Sequence, residues 1–265
     1  RGKILSMYEE STKAYIFDLD GTIYRDGELI PAALELLEQL KHQGVPRVFV
    51  TNTTSRSVEG IVEYLKNMGL KVKAAELITP VEILKRYLHR RGLRKVSIEK
   101  SREIESSFED FELCDEFRDD VEVVVLAEGG EGLDYPSVNR VMNRAFGGAE
   151  VVALIKNKYY AREEGLVADL GFYVAGFEYV LGKKIPVFGK PSRAMFTAAL
   201  QRMGLDDPSR VAVVGDDIEC DVLGAQRLGF QGILVRTGKY IDGIEEKYNE
   251  RPSKIIDSVA DLIDR

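Results

Sequence analysis

The chain has 265 residues, 45% of them hydrophobic, and a net charge of −7 from 37 basic and 44 acidic side chains. That length gives one or two domains with their own cores, and this composition excludes a disordered or fibrous chain. The acidic balance excludes a general nucleic-acid binder, no apolar run approaches the ~18 residues of a membrane span, and two cysteines with two histidines exclude a disulfide framework and a Cys/His zinc site.

The first predicted strand, Tyr15-Ile16-Phe17, runs into Asp18-Leu19-Asp20-Gly21-Thr22. Residues i and i+2 of an extended chain project to the same side, so Asp18 and Asp20 can face one site, and Gly21 lets the chain turn. Taken alone, Asp-x-Asp-Gly is equally well explained as a solvated turn. A helix is predicted between Pro31 and Gly44, and a strand over 47–50 ends at Thr51-Asn52. That hydroxyl and amide suit an oxyanion, while Ser55 or Ser57 serves as an ordinary N-cap for a helix over about 57–68.

The alternation then breaks. Residues 80–184 carry their own helices and strands, over 81–90, 121–126, 138–146, 151–155 and 173–181. An excursion of that length predicts an inserted α/β domain, with 1–79 and 185–265 forming the core around it. The acid-rich stretch 103–120 reads as a solvated face of the insert.

The core resumes at Phe188-Gly189-Lys190-Pro191, followed by a helix running to Gly204. A strand over 211–214 leads into Gly215-Asp216-Asp217, with Asp221 beyond, and another covers 232–235. Continuous apolar strands alternating with helices predict the α/β class, a doubly wound parallel Rossmann-like sheet.

In such sheets ligands bind beyond the carboxyl ends of the strands, where Asp18, Asp20, Thr51, Lys190 and Asp216 all fall. Acids gathered there repel one another unless a cation sits among them, and carboxylates plus water form the usual magnesium shell. The chemistry these residues assemble is phosphoryl transfer through a carboxylate. Asp18 serves as nucleophile, Asp20 as acid and then base, and Thr51 and Lys190 as holders of the phosphoryl oxygens. Each feature is weak alone; their order and placement carry the reading.

These stretches resemble the four motifs of the haloacid dehalogenase superfamily: Asp18-Leu19-Asp20-Gly21-Thr22, then Thr51-Asn52, then Lys190, then Gly215-Asp216-Asp217-x-x-x-Asp221. The insert between the second and third motifs resembles the type-II α/β cap of class IIA. Val187-Phe188-Gly189-Lys190-Pro191-Ser192 and Gly232-Ile233-Leu234-Val235-Arg236-Thr237-Gly238-Lys239-Tyr240 are similar to the NagD-like and phospholysine/phosphohistidine/pyrophosphate phosphatase-like branch. The resemblance implies magnesium held by Asp18, the main-chain carbonyl of Asp20 and Asp216, with Asp217 and Asp221 orienting ligands or Lys190. It also implies a small phosphate ester as substrate and a homodimer as one candidate assembly. A phosphomutase or phosphotransferase of the same superfamily, and a non-catalytic phosphate sensor, carry the same acids and stay open at this point.

Two other stretches read as decoys. The run from Gly182 to Lys190 has the wrong spacing for a nucleotide loop, and Thr237-Gly238-Lys239 lacks the upstream glycine. Cys220 falls at a helical position and is expected to be a buried small side chain. With two cysteines and no secretory apolar segment at the N-terminus, the expected compartment is the cytoplasm.

Overall fold

The computed structural model describes residues 12–99, 101, 103–130, 133–162 and 165–263; the N-terminal stretch judged above for secretion lies outside them. Contacts divide the chain into two compact units, one of residues 1–51, 61–78 and 190–265 and the other of 52–60 and 79–189. Residues 52–60, 79 and 185–189, which sequence reading places in the core, go with the second unit.

The first unit is built on six parallel strands: β1 (Ala14–Phe17), β2 (Arg47–Val50), β3 (Leu77–Ile78), β4 (Val211–Gly215), β5 (Gln231–Val235) and β6 (Lys254–Ile256). Their order is β6-β5-β4-β1-β2-β3. The chain steps to one side of β1 for β2 and β3 and to the other for β4 to β6, so the strand order reverses at β1. That reversal opens a crevice beyond the carboxyl ends of β1 and β4. Every residue of β4 is buried, which accounts for its unbroken apolar run. Register completes the placement: Phe17 lies level with Val214 on one side and Phe49 on the other. Asp18 is therefore level with Gly215 and Val50, and Asp216 and Thr51 follow one residue further on at the same end of the sheet.

Helix ends follow local chemistry. Helix Arg193–Arg202 begins at Ser192, whose hydroxyl accepts the Met195 N–H at 3.3 Å, so Pro191 lies before the cap. Helix Ala33–His42 begins after Ala32, a residue with φ of 66° and no side-chain cap. Beyond β4 the chain forms a π-helical turn, Ile218–Leu223, capped by Asp217. Cys220 within it is only half-buried, correcting the expectation of burial; Cys114 is the buried thiol.

The second unit holds four parallel strands, in the order Glu112–Leu113, Lys95–Glu99, Val123–Leu126 and Glu150–Ala153, and an antiparallel hairpin of Tyr159–Arg162 with Gly165–Ala168. Glu99 is buried there between two guanidinium groups, Arg144 Nη1 and Arg140 Nη2, each 3.1 Å away. Arg144 also donates to Ser97 Oγ and to the carbonyls of Asp115 and Arg118, which leaves its buried charge well partnered. No helix among the described residues is long and apolar enough to cross a membrane.

Candidate active site

Asp18, Asp216, Asp221 and Lys190 are all buried in the first unit. The Asp18 main chain is fixed by its N–H donating to the Val214 carbonyl at 2.9 Å, a continuation of the β1–β4 ladder. Its side chain meets Lys190 Nζ through Oδ1, while the Thr22 hydroxyl lies 3.4 Å from Oδ2 as a long donor. Lys190 Nζ also pairs with Asp221 Oδ1 at 2.7 Å, so one ammonium bridges two carboxylates. Burial favours a neutral amine, but the Asp18 and Asp221 charges outweigh it and hold Lys190 above the usual lysine range.

One carboxylate oxygen from each of Asp18, Asp216 and Asp221 lies within 4.8 Å of the others. Burial first, then the charges of Asp18 and Asp221, push Asp216 well above the usual carboxylate range. Three buried acids against one lysine leave two negative charges without a counter-charge, a mismatch that a divalent cation removes. All three donors are hard carboxylate oxygens, which suit magnesium, calcium or manganese better than zinc. The residues present therefore fit a hard divalent cation.

The other predicted site residues are placed as follows. Thr51 is buried at the end of β2, with its N–H donating to the Ile78 carbonyl at 3.2 Å. Asp20 is exposed and forms a bridge with Tyr24; partial burial first, then the Asp18 charge, raise its pKa. Its carboxylate is not part of the three-acid group. Asn52 belongs to the second unit, where its Nδ2 donates to Asn157 Oδ1 at a long 3.4 Å.

Asp217 faces elsewhere. Its Oδ1 accepts the N–H groups of Glu219 and Cys220 at 3.1 and 2.9 Å, and its Oδ2 pairs with Lys239 Nζ at 3.1 Å. Asp221 Oδ2 accepts the Asp217 N–H at 3.1 Å, leaving Oδ1 to Lys190. Sequence reasoning gave no role to Thr22 or Lys239. The signal for Thr22 was a hydroxyl four residues past Asp18; for Lys239 there was none, because its partners are more than twenty residues away.

Comparison with known proteins agrees with this geometry. A profile for haloacid dehalogenase-like hydrolases matches residues 15–114, and a HAD-hydrolase-like profile matches 187–262. The chain is 32% identical over 252 residues to haloacid dehalogenase-like hydrolase domain-containing protein 2 of Homo sapiens, covering 95% of each. It is 30% identical over 259 residues to the phospholysine phosphohistidine inorganic pyrophosphate phosphatase of Rattus norvegicus, covering 95% of this chain and 93% of that protein. The solved p-nitrophenyl phosphatase from Archaeoglobus fulgidus matches with a TM-score of 0.86 at 26% identity, covering 95% of this chain and 98% of its own. NagD from E. coli K-12 shares the fold with a TM-score of 0.82 at 24% identity, covering 96% and 99%. The strand-end acids, the parallel sheet around them and identity sustained over nearly the whole length agree: the chain belongs to the haloacid dehalogenase-like hydrolase family.

Proposed function

We propose that the protein is a magnesium-dependent phosphatase of a small phosphorylated metabolite, working through an aspartyl-phosphate on Asp18. The observation that carries this reading is the buried Asp18 carboxylate, held by Lys190 and flanked by Asp216 and Asp221 within 4.8 Å. The phosphatase names of the relatives and of the solved neighbour support it.

In the first half-reaction an Asp18 oxygen attacks phosphorus, and the bond from phosphorus to the leaving oxygen breaks. Asp20 gives that oxygen a proton; partial burial and the Asp18 charge shift its carboxyl in the direction that favours an acid role. In the second half Asp20 takes a proton from water, which attacks the aspartyl-phosphate, releasing inorganic phosphate and restoring Asp18. Lys190 keeps Asp18 aimed and sets positive charge beside the phosphoryl oxygens, with Thr51 as a further donor. Magnesium, held by Asp18, Asp216 and the main-chain carbonyl of Asp20, would supply the charge that lets an anionic carboxylate approach an anionic phosphate. Asp221 positions Lys190, and Asp217 caps the turn that carries Asp221.

Chelation with EDTA is expected to stop phosphate release from a panel of phosphorylated metabolites, and added Mg2+ to restore it. Turnover surviving exhaustive chelation would remove the metal from the mechanism, and a panel with no phosphate release would remove the phosphatase. Asp20→Asn is expected to slow alkyl phosphates by about 10²- to 10⁴-fold and aryl phosphates less, because good leaving groups need little protonation. Equal slowing of both would assign the proton to another group.

A further inference from the structure

Asp216 and Asp217 are neighbours in sequence, both acidic and both at the end of one strand, yet only Asp216 joins the three-acid group. Its selection coincides with contacts from Thr237-Gly238-Lys239, a stretch just past β5 that sequence reading set aside as no nucleotide loop. The Lys239 main-chain N–H donates to Asp216 Oδ2 at 2.7 Å. The Lys239 ammonium takes the other acid, Asp217, through its Oδ2. The Thr237 hydroxyl donates to the Gly21 carbonyl at 2.5 Å, tying the same stretch to the turn that follows Asp20.

The packing is equally specific. Gly21 and Gly238 have φ of +82° and +67°, in the left-handed region that glycine adopts most readily. A Cβ on either would run into Asp216 Oδ2, and a Cβ on Gly238 would stand 2.7 Å from the Gly21 Cα. The carboxylate is thus pressed between two bare backbones and pinned by one N–H. An ionised carboxylate has about four lone-pair sites, so that bond leaves capacity for a cation.

We propose that Thr237, Gly238 and Lys239 are positioning residues that make Asp216, rather than Asp217, the cation ligand from this strand end. The stretch fixes one carboxylate beside Asp18 and Asp221 and occupies the next with an ammonium. The proposal rests on the reading, given under the proposed function, of Asp18 and Asp216 as the carboxylates that hold the cation. It gives the glycine pair a purpose, since any side chain there would displace the ligand by the width of a methyl group.

The test is direct Mn2+ binding to the purified full chain, followed by electron paramagnetic resonance without substrate, for wild type, Thr237→Val, Thr237→Ser and Gly238→Ala. Groups that orient a metal's ligands typically hold about 10- to 100-fold of its affinity, so Thr237→Val and Gly238→Ala are expected to raise the Kd by that factor. Thr237→Ser keeps the hydroxyl and should bind like wild type. Saturating metal should recover much of kcat in Thr237→Val, a split that general loss of structure does not give. Thr237→Val preserves side-chain shape and covers the case in which Gly238→Ala fails to fold. A folded Thr237→Val with unchanged Kd would overturn the positioning role while leaving the cation site intact. Wild type that binds no Mn2+ would overturn the cation site itself, and this proposal with it.

Discussion

Asp18→Asn is expected to lower kcat by at least about 10⁴-fold, the scale of loss when the attacking group of a covalent mechanism is removed. An amide matches the carboxylate in size, so the buried volume beside Lys190 is kept. What changes is chemistry: the neutral amide is a far weaker nucleophile, and a stable acyl phosphate cannot form from it. Lys190 keeps its pairing with Asp221 at 2.7 Å, so the ammonium does not lose all compensation and the fold is expected to survive. Acid-quenched wild type should carry a phosphoryl group on Asp18 during turnover, and the variant none. A variant with wild-type kcat, or a wild type labelled at another residue, would move the nucleophile elsewhere.

Much of this site was legible because a parallel sheet projects sequence onto space in a simple way. Each apolar run ends in its polar residue, and the parallel register brings those ends together, so Asp18, Thr51 and Asp216 could be grouped before any coordinate was known. That the strand order reverses at β1 was not legible; the structure supplies it. Short strands were harder. Leu77–Ile78 and Glu112–Leu113 are two residues each, too short to show a period, whereas Lys95–Glu99 carries the polar–apolar alternation of a strand and went unassigned all the same.

What sequence cannot show is how a carboxylate's two oxygens divide their partners. Asp217 and Asp221 looked like equivalent outer acids, yet Asp221 lies against Lys190 while Asp217 is spent on two main-chain donors and Lys239. The two lysine contacts cross more than twenty residues, and the division of oxygens depends on side-chain rotation. The placement of 52–60 with the second unit was hidden for a related reason: its contacts lie with a distant stretch, as in Ser101 donating to the Thr54 carbonyl at 3.3 Å.

Lys190→Met is expected to cost about 3–5 kcal/mol of stability at pH 8, because removing one member of a buried ion pair leaves its partners without compensation. Two carboxylates are stranded here, Asp18 and Asp221, in a region with almost no access to water. The loss should depend on pH in a definite direction. Burial, opposed by Lys190 and reinforced by Asp18, already pushes Asp221 up to about 7. An unfolded aspartate ionises near pH ~4, so a raised folded pKa means stability falls as pH climbs from there through the folded value. Without Lys190 the opposing charge is gone and the Asp221 folded pKa rises further, extending the fall to higher pH. The deficit against wild type should therefore be smallest near pH 4–5 and widest at pH 8. Mg2+ should recover part of it at pH 8, since a bound cation supplies the missing positive charge. Activity should fall by about 10²- to 10³-fold even where the variant is folded, the usual loss when one charge-stabilising group is removed. Lys190→Arg is not expected to rescue either property, because a planar guanidinium cannot occupy the compact point between the two acids. Urea unfolding at pH 5 and pH 8, with and without Mg2+, reads the stability changes, and phosphate release by the folded variant reads the activity. A deficit that is the same at both pH values would mean that the ammonium compensates no buried carboxylate there, and its part in aiming Asp18 would have to be given up.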